Sequence, residues 1–275
     1  MLATLIIVFR EVIEAGLVVG IIMAATRGVP RRGLWVGYGI AGGIIGACLV
    51  AAFAKTIAAA MQGVGQELFN TAILLAAVGM LTWHNVWMAR HGRDIAMHMK
   101  DLGEAVVKGQ RTLAAVSIVI GVAVLREGAE IVLFLYGIAL SGGDSLISMT
   151  LGGALGLALG AGVSAITYLG LARIPNRYLF SVTSWLIALL AAGMAAQAAS
   201  FLEQAQVISA FSETVWNTSA FLSESSIAGK MLHTLIGYTA RPTGMQLIAY
   251  VTTLAVIFTL MKLFGHASQR PKASA

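Results

Sequence analysis

Charge is what this sequence has least of. Only 11% of its 275 residues are Asp, Glu, Lys or Arg, 58% are hydrophobic, and the mean hydropathy is +0.85. Soluble domains carry about a quarter charged residues, so a water-soluble globule is excluded. A single integral membrane domain over residues 1–275 is expected instead. Cysteine is nearly missing as well. Cys48 stands alone, which rules out an intrachain disulfide, and its apolar surroundings predict a buried structural thiol. A cleavable leader needs basic residues ahead of its apolar run. "MLATLIIVFREV" has none there and is expected to be a mature helix.

Roughly 20 mostly apolar residues span a bilayer. Seven segments qualify, at 3–25, 35–54, 66–89, 114–140, 147–171, 179–201 and 244–264, so the predicted fold is all-α and polytopic with seven transmembrane helices. Basic residues report orientation because they collect on the cytoplasmic side. Thirteen of the 18 fall on one side: Arg27, Arg31 and Arg32; Arg90, Arg93, Lys100, Lys108 and Arg111; Arg173 and Arg177; Lys262, Arg270 and Lys272. The opposite side has Lys55, Lys230 and Arg241, and the remaining two, Arg10 and Arg126, lie within spans. An outer N-terminus and a cytoplasmic, basic C-terminal tail at 265–275 follow.

The two intramembrane arginines belong to a repeat. "FREVIEAG" places Arg10, Glu11 and Glu14 in the first span; "LREGAEIV" places Arg126, Glu127 and Glu130 in the fourth, 116 residues on. The same offset carries Gly37 onto Gly153 and Gly46 onto Gly162, and "AAVGM" (76–80) matches "LAAGM" (190–194) after a two-residue slip. Residues 3–89 and 114–201 therefore read as two copies, with 202–243 as an outer segment and 244–264 as a seventh helix. Three helices per copy make the second copy inverted. Secondary transporters are often built this way, with sites near the midplane where the copies meet. Gly39/Gly43, Gly42/Gly46 and Gly152/Gly156/Gly160 recur every fourth position, a spacing that allows close helix approach in lipid with or without a transport role.

The acids carry the chemistry. Of the twelve, only Glu11, Glu14, Glu127 and Glu130 fall well inside the predicted spans, and each pair shares a helix face at i, i+3. Each arginine sits i, i+4 from the second glutamate of its motif. A charge at a helix centre costs about 2.5–3.5 kcal/mol to insert, so six represent on the order of 15 kcal/mol before pairing. Apolar packing would usually serve stability as well as buried ion pairs do. A hard-cation site is the better explanation, because carboxylates favour Mg, Ca, Mn and ferric iron while soft metals favour Cys, Met or His. Four glutamates and two arginines leave a net −2 when all are ionised, which a divalent ion neutralises and a trivalent ion takes to +1. Such a cluster would also accept protons as the metal leaves.

"REVIE" and "REGAE" resemble the R-E-x-x-E motifs of the high-affinity iron permease family, the oxidase-dependent iron transporters of fungi and their bacterial relatives. The likeness extends over nearly the whole chain, through "QELF" at 66–69 and "TWHNVWM" at 82–88. It implies uptake of iron, Fe2+ or Fe3+, across the plasma or bacterial inner membrane. Glu11, Glu14, Glu127 and Glu130 become the implied ligands, with Arg10 and Arg126 supporting them. It also implies a separate iron oxidase or periplasmic iron-binding protein as partner, since no copper or haem motif, hence no prosthetic group, is present. Two positions depart from the pattern. Asn70 stands three residues after Glu67 where the family usually has an acid, and "VWNTS" has Asn217 in place of Asp. Both thin the acidic approach.

Glu67, opening the third span, is the strongest candidate for an outer entrance; Asp144, Glu203, Glu213 and Glu224 also lie outside the bilayer, where acids would concentrate cations. Solvated loop charge explains the latter equally well. The outer segment 202–243 reads as an amphipathic or re-entrant piece and a surface for a partner. His84, His91 and His98 recur every seventh residue and form one stripe if the helix is continuous, either a metal relay or plain surface histidines. A retinal Schiff base would need a lysine in mid-helix 7, and Lys262 is at its end. No H-E-x-x-H signature of a membrane metalloenzyme exists, so a transporter rather than an enzyme is expected. A carrier of another hard or divalent cation (manganese, magnesium, lead) or a proton-coupled carrier is the alternative.

Overall fold

A computed structural model describes residues 1–60, 66–140, 145–170, 176–224 and 226–265. Within them lie eight helices: α1 (Leu2–Ala25), α2 (Arg32–Ala60), α3 (Gln66–Val107), α4 (Leu113–Leu140), α5 (Leu146–Tyr168), α6 (Asn176–Gln204), α7 (Ile227–Ile236) and α8 (Gly244–Gly265). The fold is all-helical. Among the described residues the only β feature is an isolated antiparallel bridge between Thr214 and Thr243. Four helices are long and apolar enough to cross a bilayer by length and composition, at Arg32–Ala54, Leu146–Tyr168, Val182–Gln204 and Gly244–Leu263. α1 and α4 have the length, with 24 and 28 residues, and each carries the three charges of its motif. Leu34, Tyr38, Ile45, Leu49 and Phe53 on α2, and Val251 and Leu263 on α8, point outward. Exposed apolar surface on this scale belongs against lipid. The chain is a multi-pass membrane protein.

The residues group into two compact units. The first comprises Met1–Gln62, Arg93–Tyr136 and Asp144–Phe180. In it α1 packs along α5, and the two run parallel. Met1 lies on Gly152, Leu5 on Gly156 and Val12 on Gly160. A methyl group at Gly160 would sit 2.9 Å from the Val12 Cβ, so the contact is closed to any larger residue. α2 and α4 pair in the same parallel sense, with Gly39 on Ser117, Gly43 on Val124, and Ala47 on Gly128. Gly42 and Gly162, by contrast, face open space. Ile22, Val36, Val106, Val116 and Ile120 close one end of the unit as a buried apolar cluster, beside which Arg32 Nη1 donates to the Met23 carbonyl at 2.8 Å.

The second unit comprises Gly63–Gly92, Gly137–Gly143 and Ser181–Ala275. Its core is an alanine-rich face of α6, where Ala188, Ala191, Ala192, Met194, Ala195, Ala198 and Ala199 are buried. Asn85 Nδ2 donates to the Ser184 carbonyl at 3.1 Å. The segment after α6 is tied down by its own polar groups. Thr218 Oγ1 and the Tyr238 hydroxyl bond at 2.5 Å, the Ala240 amide donates to Glu224 Oε1 at 2.5 Å, and Thr243 Oγ1 donates to Glu203 Oε1 at 2.8 Å. One short helix, α7, interrupts it, capped by Ser226 and ended by left-handed Gly237.

Two expectations are revised. α3 does not stop at 89 but continues to Val107, 42 residues in all. Residues past Ala89 are charged yet helix-compatible, with a Lys100–Glu104 pair at 3.7 Å, and the turn arrives only at Gly109 with φ +73°. Hydropathy marks where an apolar layer ends, not where a helix does. Cys48 is exposed rather than buried, because α2 turns it toward an open cavity between helices. Glu203 Oε1 and Glu224 Oε1 also accept hydrogen bonds that hold the outer segment, and Glu224 remains exposed. Asp144 and the tail from 266 onward lie outside the described residues, as do the side chains of His91, Lys55 and Lys230.

Candidate metal centre

The first motif sits on the buried face of α1. Arg10, Glu11 and Glu14 are 2%, 0% and 3% exposed. Helical geometry brings Arg10 Nε to 2.9 Å from Glu14 Oε1, while Arg10 Nη1 lies 3.6 Å from Glu11 Oε1. The second motif repeats this chemistry on α4. Arg126 Nε donates to Glu130 Oε1 at 3.0 Å and lies 4.0 Å from Glu127 Oε1.

The fold brings the two motifs together within the first unit. Glu11, Glu127 and Glu130 each present a carboxyl oxygen within 4.8 Å of the others. Glu127 meets Glu11 at hydrogen-bonding range, and Glu14 lies within electrostatic reach of Glu127 and Arg126. All four predicted glutamates thus converge from two helices. Three carboxyl groups so close repel one another unless a cation or protons lie among them. Glu127 Oε2 is buried and has no hydrogen-bond partner among the described residues. A buried acceptor without a donor is costly, and a hard cation would satisfy it. Within the first unit the donors are carboxylate oxygens, which suit a hard or borderline metal ion rather than a soft one.

Beside these carboxyls α1, α2, α4 and α5 enclose a cavity of ≈ 650 Å³, open on one side, with Glu11 and Glu127 in its wall. Its remaining lining is almost wholly apolar. Glu67 is exposed on the first turn of α3, where the positive end of the helix dipole favours a carboxylate. His84 is buried and His98 is exposed, its ring at 2.7 Å from the Asp94 carbonyl, so the stripe does not share one environment. Ser164 and Tyr168, which line the cavity from α5, were not legible in the sequence; a serine and a tyrosine in an apolar span carry no signal of their own.

A model of the iron permease FTR1 family matches residues 1–270. The chain belongs to the iron permease FTR1 family. Among its relatives, the ferrous iron permease EfeU of Escherichia coli O6:H1 is 30% identical, covering 98% of this chain and 99% of that one. The ferrous iron permease EfeU of Shigella sonnei is 29% identical over 98% of this chain and 99% of its own. That of Yersinia pestis is 30% identical over 91% of this chain and 89% of its own length. No solved structure matches the permease. The motifs that carried the resemblance are the ones the fold gathers at the carboxyl cluster.

Proposed function

We propose that this permease imports iron, taken as Fe2+, across the bacterial inner membrane through the carboxylates of Glu11, Glu14, Glu127 and Glu130. Arg10 and Arg126 hold those carboxylates in place and set their net charge. The observation that carries this reading is the approach of Glu11, Glu127 and Glu130 to within 4.8 Å, from two helices of a membrane protein. Four glutamates against two arginines leave −2, the charge a divalent ion neutralises, and the relatives named above are ferrous iron permeases.

The transport cycle follows from an inverted 3+3 repeat with a seventh helix, N-terminus outside and C-terminus cytoplasmic. In support of this, each motif helix packs in parallel on the second helix of the other copy: α1 on α5, α4 on α2. Iron reaches the carboxylates from the outer side, with Glu67 as an acid on the approach. The outer segment 202–243 offers a docking surface for a periplasmic iron-binding protein or an iron oxidase. Within the site iron displaces protons and repulsion together. Release toward the arginine-rich side restores the empty, mutually repelling set, which re-protonates.

Uptake of radiolabelled iron into proteoliposomes tests the reading. Glu11→Gln and Glu127→Gln should each abolish uptake. Excess ferrous iron should compete more effectively than manganese, magnesium, lead or ferric iron. Wild-type uptake by the glutamine variants would sink the site; stronger competition by another metal would reassign the cargo.

A further inference from the structure

The α1–α5 seam changes character just past the carboxylates. On the outer side α5 supplies the glycines, and α1 side chains fill them: Val8 at Gly156, Val12 at Gly160. Beyond Glu14 the roles reverse. α1 now supplies Gly16 and Gly20, and α5 side chains lie against them, Ser164 on Gly16 and Tyr168 on Gly20. Glycine at 16 is required, because a Cβ there would collide with the Ser164 hydroxyl.

The Ser164 hydroxyl is turned into this gap at a cost. Serine and threonine in helices commonly bond the carbonyl four residues back. Thr26, Thr56, Thr71 and, on the same helix, Thr167 all do so, at 2.8–2.9 Å. Ser164 does not. Its Oγ is buried and makes no hydrogen bond among the described residues. It lines both the ≈ 650 Å³ cavity that holds Glu11 and Glu127 and a second cavity of ≈ 310 Å³, as do Gly16, Gly20 and Tyr168. Among the described residues, the only side-chain oxygens lining the larger cavity besides the two carboxyls are those of Ser164 and Tyr168; the Cys48 thiol of α2 lines it as well. They follow one another at i, i+4 on α5, toward the end where α1 gives way to Arg27, Arg31 and Arg32.

We propose that Ser164, with Tyr168 one turn beyond, is the hand-off step of the permeation path. Its unbonded hydroxyl receives the iron ion, or the water the ion carries, as it leaves Glu11 and Glu127 for the cytoplasmic side. This rests on the four-glutamate reading and extends it to the exit. A desolvated divalent ion needs an oxygen ligand at every step through an apolar wall, and here the wall offers one.

The test uses the full chain in proteoliposomes with radiolabelled ferrous iron. Ser164→Ala should lower maximal uptake about tenfold, the scale of losing a supporting group at a metal site. The half-saturating external iron and iron binding to the carboxylates should stay unchanged. As a check on folding, Ser164→Cys is made in a Cys48→Ala background, leaving one thiol. A small charged thiol reagent applied from the cytoplasmic side should modify it and block uptake, and ferrous iron should slow that modification. Wild-type maximal uptake in Ser164→Ala overturns the proposal. So does a cysteine at 164 that the reagent reaches at a rate iron does not change, or does not reach at all. Glu11→Gln separates the two claims. If it transports normally the four-glutamate reading has failed; if it is dead while Ser164→Ala is normal, only the hand-off step has failed.

Discussion

The two R-E-x-x-E motifs are alike in sequence and unlike in surroundings. Both close an arginine-to-glutamate pair across one helical turn, at 2.9 Å in α1 and 3.0 Å in α4. Yet the Arg10 side chain is 1% exposed and the Arg126 side chain 40%. Local geometry, the same in both, is set by i, i+4 spacing on a helix. The cost and use of each charge differ because the neighbours do. Arg10 is a sealed charge that cannot be left without its glutamates. Arg126 is half-exposed and is not sealed in the same way. The comparison teaches that a sequence repeat predicts matched chemistry and not matched environment.

The largest expected effect that would break this contrast is on stability. Arg10→Leu strands buried carboxylates and should cost about 3–5 kcal/mol, as loss of one partner of a buried pair does. Little folded protein should survive in a detergent thermal-melt assay. Arg126→Leu removes a half-exposed partner, although it strands the buried Glu130, so it should cost less than Arg10→Leu, and the variant should remain folded but transport poorly. Equal melting losses in the two would mean that exposure does not govern their roles.

A second prediction compares the seams. Gly160→Ala forces a methyl group against Val12 and should destabilise by about 1–3 kcal/mol, the usual cost of overpacking. Gly162→Ala, two residues on, meets nothing within 4 Å and should be neutral in the same melt. The smallest effect belongs to the surface. Lys100→Ala removes an exposed i, i+4 pair with Glu104 and should change stability by about 0.5 kcal/mol or less. A larger change there would show that the extension of α3 past Ala89 is held by its charges rather than by its backbone.

Much of the site was legible because its residues are out of place. Six charges in two apolar spans have no cheap structural explanation, so Arg10, Glu11, Glu14, Arg126, Glu127 and Glu130 announced themselves. The glycine stripes announced close packing and not its partners; that Gly156 and Gly160 receive α1 while Gly39 and Gly43 receive α4 needed the fold. The length of α3 was misjudged because hydropathy is silent about polar helix. The burial of Cys48 was misjudged because apolar neighbours in sequence do not show whether a helix face meets packed side chains or an open cavity, and Cys48 lines one. Ser164 could not be singled out, since its meaning lies in what stands opposite.

What the sequence by itself determined is the chemistry: which groups are charged, that they sit in apolar helices, and that each arginine meets a glutamate one turn away. These follow from composition and helical period, which are local. Tertiary structure alone decided that Glu11, Glu127 and Glu130 share one space, that Arg10 is sealed while Arg126 is not, and that a serine hydroxyl faces a glycine without a bond. Those are distances between segments more than a hundred residues apart, and packing sets them.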